Sequence, residues 1–409
     1  MAEEPRKRRW PRRILWTALV LVLVVYGGGG WHFSQEIHDR ALSGEARRAS
    51  TAFTPTTEIV AVTLDDAGGA ATIELVVNDE AGSIDVDGMW GLRWDDGYGQ
   101  VGGIVERGDG TVTRAFLPTR GDPPTAGDPA ELDFRGWEAP PVVQEVQDVR
   151  VRGELGTYPA WFVPGESGAT TWAIVVHGNA MTRLDGARVL PVFEDAGIPT
   201  LTISYRNAPG APEDPSGLLR YGLTEWKDLE AAVQHAEREG AERVVLYGMS
   251  MGGGVVMAFL QRSGLADRVA AVALDAPMLD FSETVDENAS REALPVVGVA
   301  LPSSLTAAAK WIADQRFDVG WDQLDYLEET DEYGDVPFLV FHGEEDETVP
   351  IATSRRFARL EPETVTLVAC PEADHLECWN VDVEGYRFTL AAFLEGAAGG
   401  ATGEGAAQG

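Results

Sequence analysis

The chain has 409 residues, enough for one large domain or two ordinary ones, and its 44% apolar content suits a substantial core rather than a disordered polymer. A formal net charge of -34 at pH 7 argues against a nucleic-acid-binding surface and implies a strongly anionic body. The charge is uneven: residues 1–13 hold six basic residues against two acidic ones, leaving about -38 for the remainder.

That basic head precedes an apolar run, Ile14–Tyr26, which Gly27–Gly30, Trp31 and Phe33 extend to about 20 residues, the span of a bilayer. Trp10, Trp16, Tyr26 and Trp31 stand near its ends, where amphipathic rings favour the interface. The pattern predicts an uncleaved transmembrane signal anchor over residues 14–33. Its basic flank would stay in the cytoplasm and everything after it would be extracytoplasmic, in a single-pass protein of the cell membrane. A cleaved signal peptide is the rival reading, but no Ala-x-Ala site follows the run. Residues 34–56, polar and small, read as a stalk.

Residues 57–144 change rhythm. Short runs such as Glu58–Leu64, Ala71–Val77 and Gly110–Phe116, divided by glycine and aspartate, predict a small β-rich accessory region. Its Trp90 and Trp94 are read as core residues in preference to a binding surface. The Pro/Gly/Asp stretch 118–129 reads as a loop.

From about residue 145 strands and helices alternate. Strands are expected at Trp172–Val176, Thr200–Tyr205, Val244–Tyr247, Val269–Leu274, Phe338–Phe341 and Val365–Val368. Helical spacing covers Trp226–Glu239 and Ala352–Leu360. Solidly apolar strands in this alternation define an α/β class, a mostly parallel sheet covered by helices on both faces. The segment around 276–335 is an insertion, and residues 397–409, rich in Gly and Ala, read as a disordered tail. Cys370 and Cys378 lack a metal-site spacing; a disulfide and two free thiols both remain open.

The stretch with the clearest chemistry is Val244 to Gly254. A branched apolar strand runs into Gly248-Met249-Ser250-Met251-Gly252, and small residues follow. This composition suits a sharp strand-to-helix turn with Ser250 at its apex, ahead of the unpaired N–H groups of a helix start. A serine hydroxyl needs a base, and the base needs a group that fixes its tautomer. Of the six histidines, His32 and His38 lie near the N-terminal run, His235 sits in a surface helix, and His177 and His342 form His-Gly pairs at strand ends. His375, in a loop after the last strand, is the candidate base. Asp346, beyond the penultimate strand, is the candidate acid, with Asp275, Glu344, Glu345 and Glu347 as competitors.

Three features together resemble the α/β-hydrolase superfamily over about residues 145–396: the His177-Gly178 turn, the Gly248 to Gly252 elbow, and His342-Gly343-x-x-Asp346-x-x-Val349-Pro350. Within it the chain looks most like membrane-anchored serine hydrolases with prolyl-oligopeptidase-like or aminopeptidase-like catalytic domains. The resemblance implies a Ser250–Asp346–His375 triad, an oxyanion hole from the backbone N–H groups of Asn179 and Met251, and a small cap over the site from 276–335. It also implies no metal and no organic cofactor. The expected activity is hydrolysis of carboxylic esters through an acyl-enzyme on Ser250, with a small-molecule or lipid-like ester as substrate. The same fold also serves peptidases, aminopeptidases and acyltransferases; Glu344 and Glu345 would have to hold an aminopeptidase substrate's α-ammonium group. A reading from another class is a non-catalytic cell-envelope binding protein.

Overall fold

The computed structural model describes residues 16–17, 19–20, 22–43, 53–64, 71–292 and 300–400. Six antiparallel strands come first: β1 (Thr57–Thr63), β2 (Ala71–Val76), β3 (Trp90–Trp94), β4 (Gly97–Arg107), β5 (Thr111–Arg120) and β6 (Pro129–Asp133). They close into a barrel in the order β1-β2-β5-β4-β3-β6, which leaves no sheet edge unpaired. Alternate residues point inward, so Ile59, Ile73, Leu75, Trp90, Leu92, Trp94, Val101, Val112 and Phe116 share one core. Both tryptophans are therefore packed inside.

The sequence showed β1, β2 and the start of β5 but not β3, β4 or β6. The glycines of β3 and β4 read as turns, yet Gly91, Gly97 and Gly99 make room for aromatic neighbours. A Cβ at Gly91 would lie 2.0 Å from the Tyr98 hydroxyl. β5 also takes the first residues of the expected loop, running to Arg120.

The second unit is an eight-stranded sheet: β7 (Gln147–Gly153), β8 (Gly156–Val163), β9 (Thr171–Val176), β10 (Thr200–Ile203), β11 (Arg243–Met249), β12 (Val269–Asp275), β13 (Phe338–Gly343) and β14 (Val365–Cys370). The spatial order is β14-β13-β12-β11-β9-β10-β8-β7. β9 to β14 pair in parallel, whereas β8 pairs antiparallel with both β7 and β10. Central strands are buried on both faces, with Leu246, Leu274 and Val340 in one apolar cluster and Val245, Ala273 and Phe341 in the other. Helices Trp226–Arg238 and Met251–Arg262 cover the first face, and helix Val383–Gly400 covers the second.

The N-terminal segment departs from expectation. Among the described residues no helix is long and apolar enough to cross a membrane. The stretch expected to be a stalk begins instead as helix, α-helical over Gly30–Ile37 and π-helical over His38–Leu42. It docks on helix Ser303–Phe317. A Cβ at Gly30 would meet Ile312 Cδ1 at 2.8 Å, so the glycine lets the two helices pack closely without a shift of that side chain. Arg316 donates to Ser34 Oγ at 2.6 Å and covers the Trp31 ring at 3.8 Å. Leu42 ends in the main core, where the Leu219 N–H donates to its carbonyl at 2.8 Å. The expected head, residues 1–13, and most of the expected tail lie outside the described residues.

One charged side chain points into the barrel. Arg114 is fully buried and donates to four carbonyls, of Gly102 at 2.9 Å, Ile84 and Val86 at 2.8 Å, and Gly88 at 3.0 Å. Burial pushes its guanidinium down to about 10, which leaves it charged at neutral pH. Removing it would strand those carbonyls. Arg114→Leu is expected to lower stability by about 3 kcal/mol or more, read as an earlier urea midpoint in tryptophan fluorescence.

Candidate active site

β11 ends at the elbow. Ser250 has φ 50° and ψ -121°, a strained combination for a residue with a side chain. The turn is tight because helix Met251–Arg262 starts against β9: a Cβ at Gly252 would lie 2.3 Å from the Val176 carbonyl and 2.6 Å from that of His177. Donation from the Ser250 N–H to the Asp275 carbonyl at 2.9 Å holds the apex, and its own carbonyl accepts from Met278 at 3.0 Å. The Met251 N–H is the first of the helix, one of the amides with no acceptor inside the helix itself.

His375 lies on the loop after β14, and its Nε2 is 3.0 Å from Ser250 Oγ. Its Nδ1 is 2.7 Å from Asp346 Oδ2. The other Asp346 oxygen accepts from the backbone N–H groups of Thr348 at 2.8 Å and Val349 at 2.7 Å. His342 stands behind this chain, with Nε2 at 3.2 Å from Asp346 Oδ2 and Nδ1 at 2.7 Å from Ser354 Oγ. The structure thus brings Ser250, His375 and Asp346 into one hydrogen-bonded line.

Electrostatics follow from that line. Burial alone would raise the Asp346 carboxyl, but the neighbouring His375 charge and hydrogen bonds from His342 and His375 outweigh it and hold the group well below the usual carboxylate range. Burial would lower the His375 imidazole; the Asp346 charge and hydrogen bond overcome that and raise it above its ordinary value.

Asp275, the competing carboxylate, is committed elsewhere. It is fully buried, and its Oδ2 accepts from Arg188 at 3.0 Å, Tyr247 at 3.2 Å and Tyr386 at 3.0 Å. Glu344 pairs with Arg355 at 2.5 Å, and neither it nor Glu345 lines the cavity.

That cavity holds about 430 Å³ and is lined by Ser250, His375, Asn179, Tyr221 and Met278 together with barrel residues Glu131 to Arg135. Asn179 follows the His177-Gly178 turn, which the Tyr205 hydroxyl braces by donating to both carbonyls, at 3.1 and 3.0 Å. The barrel wall was not foreseen. Of the 276–335 segment, Met278 is the residue among those described that lines the cavity.

The His375 loop is held from two sides that the sequence left open or did not signal. Cys370 and Cys378 form a disulfide that brackets it. Asn380 then donates through Nδ2 to the Met89 carbonyl at 2.7 Å and the Phe134 carbonyl at 2.8 Å, while its own carbonyl accepts from the Met89 N–H at 2.9 Å. An isolated asparagine carries no sequence signal for such a role.

These features belong to a chain of the α/β-hydrolase class. A family model described as "Alpha/beta hydrolase family" matches residues 162–387, more than half the sequence, and the protein is a member of that family. Residues 58–133, the barrel, match a domain of unknown function, DUF8805. Among curated proteins the chain is similar to the uncharacterized protein YfhR of Escherichia coli strain K12, 23% identical over 227 residues that cover 54% of this chain and 69% of that one. Among solved structures it is similar to the esterase Pf2001 of Pyrococcus furiosus, with 20% identity, TM-score 0.49, and coverage of 62% of this chain and 91% of that one. Est1E of Butyrivibrio proteoclasticus is another, with 17% identity, TM-score 0.45, and coverage of 61% and 99%.

The imidazole gives a direct test of the geometry. His375 should titrate above the ordinary midpoint of about 6.5 in a proton NMR pH series, and Asp346→Asn should move that midpoint down. An unshifted midpoint in both proteins would contradict the hydrogen-bonded line.

Proposed function

We propose that the protein is a serine hydrolase of carboxylic esters, with Ser250 as nucleophile, His375 as general base and acid, and Asp346 as the group that orients the imidazole. The observation that carries this reading is the continuous chain from Ser250 Oγ through His375 to Asp346 on the wall of an open cavity. Ser250 Oγ attacks the ester carbonyl while its proton passes to His375 Nε2. The oxyanion meets the backbone N–H groups of Asn179 and Met251, each typically worth about 3 kcal/mol in the barrier. As the tetrahedral species collapses, His375 returns the proton to the departing alcohol. Water, deprotonated by the same imidazole, then releases the acid. Asp346 stays ionised throughout, which its depressed pKa supports.

Glu344 and Glu345, the carboxylates expected to hold an aminopeptidase substrate's α-ammonium group, stay clear of the cavity lining. A purified protein should react with a fluorophosphonate probe, and Ser250→Ala should not. Absence of labelling in folded wild type would sink the enzyme reading. Against p-nitrophenyl esters, kcat/KM should fall as pH drops through the raised His375 pKa, since only neutral imidazole accepts the serine proton. Asp346→Asn should cost about 10³–10⁴-fold in kcat.

The same reading extends to location. We infer that the apolar N-terminal run attaches the protein to the cell membrane, with the hydrolase outside. Trp16, Leu19, Val20, Val22, Val24 and Val25 are exposed, unlike a surface meant for water, and a basic stretch precedes them. The Cys370–Cys378 disulfide favours an oxidising compartment. The full chain should stay in the membrane pellet after carbonate washing, and a chain starting at Gly30 should be released. Release of both would refute attachment through this segment.

A further inference from the structure

We propose that Arg135, on the barrel side of the cavity, selects substrates that carry a carboxylate in addition to the ester; the inference rests on the ester-hydrolase reading above. Arg135 lies two residues beyond β6 and is largely buried, with 20% of its side chain exposed. Its Nε donates to Asp133 Oδ1 at 2.8 Å, and its backbone N–H donates to the same oxygen at 3.1 Å. One edge of the guanidinium is thereby fixed. Its Nη1 and Nη2 donate to no described residue, although the group borders the cavity that holds Ser250 and His375, and also a smaller hollow of about 170 Å³ beside it. Two parallel N–H donors held in one plane match the two oxygens of a carboxylate.

Asp133 is the ion-pair partner of Arg135 through Nε, and the carboxylates around it are also tied to other donors. The Tyr98 hydroxyl donates to Asp133 Oδ2 at 3.1 Å. Asp185 Oδ2 accepts from the Thr182 N–H at 2.6 Å and the Thr182 hydroxyl at 3.0 Å, while its Oδ1 stands 3.9 Å from Arg135 Nε. Glu131 Oε2 accepts from Arg93 at 3.2 Å and from the Thr54 N–H at 3.2 Å. These three carboxylates have their own donors and are drawn into holding the wall. Among the described donors of this cluster, Arg135 Nη1 and Nη2 are the groups left without an acceptor. A body of net charge -34 repels an anion at long range, so selection of one needs such a contact inside the cavity.

The test compares three esters of one length: p-nitrophenyl pentanoate, the mono-p-nitrophenyl ester of glutaric acid, and p-nitrophenyl 5-aminopentanoate. Wild type should show kcat/KM at least about ten-fold higher for the glutarate ester than for the neutral one, chiefly through KM. Arg135→Gln should abolish that ratio, and Arg135→Lys should keep part of it. A wild-type preference for the neutral or the ammonium ester overturns the proposal, as does an unchanged ratio in Arg135→Gln. Calorimetry on Ser250→Ala supplies a readout free of turnover: monomethyl glutarate should bind at least about ten-fold tighter than dimethyl glutarate. Discrimination in binding without turnover of any ester would refute the hydrolase reading and keep the Arg135 assignment. Turnover without discrimination would do the reverse.

Discussion

The site depends on one close approach of backbone to backbone. At Gly252 the first turn of helix Met251–Arg262 lies against the carbonyls of Val176 and His177, closer than any Cβ would permit. This contact does two things at once. It forces the chain at Ser250 into positive φ, which lifts the hydroxyl off the sheet. It also sets the helix start beside the His177-Gly178-Asn179 turn, so the two proposed oxyanion donors come from segments in mutual contact. The strain at one residue is offset by the burial of β9, β11 and β12 around it, whose inner residues are almost wholly shielded from water.

The base is held by a different principle. His375 belongs to a loop, and loops are ordinarily the mobile part of a site. Here the disulfide closes the loop at its ends, and Asn380 fastens its far side to the barrel through Met89 and Phe134. Asp374 adds an inner tie, accepting from the N–H groups of both His375 at 2.7 Å and Glu347 at 3.0 Å, which joins the loops of the proposed base and acid. The barrel is therefore part of the site's support as well as its wall. Its segment 84–88 is in turn gathered by Arg114. The buried guanidinium thus orders the segment next to Met89, the residue that Asn380 fastens.

Legibility in the sequence tracked the range of the interactions. The elbow and the order of the serine, acid and histidine loops were readable because each is a local pattern: an apolar strand followed by small or acidic turn residues. The six parallel strands β9 to β14 were readable for the same reason. Barrel closure was not, because β3 pairs with β6 nearly forty residues away, and glycines such as Gly91 serve packing rather than turning. The N-terminal helix misled in another way. Ser34 and Gln35 look solvated in isolation, and only Arg316, 282 and 281 residues further along, makes them an interface. The cysteine pair stood eight residues apart in plain view, but no spacing rule separates a bridge from two thiols there.

The two buried aspartates show why geometry had to arbitrate between them. Asp275 ends β12 and Asp346 follows β13, the neighbouring apolar strand of the same sheet, and both are shielded from water. A buried carboxylate must find donors or lose its charge. Asp275 finds a permanent cation, Arg188, with two tyrosine hydroxyls. That carboxylate is held by a cation and two hydroxyls, and none of its described partners is an imidazole. Asp346 finds backbone amides for one oxygen and imidazole for the other. Its partner is an imidazole, whose proton affinity the charge of Asp346 raises against burial. The same residue type at equivalent depth thus becomes a structural pin in one place and a tuning charge in the other, and the difference is set by which partner crosses the interior to reach it.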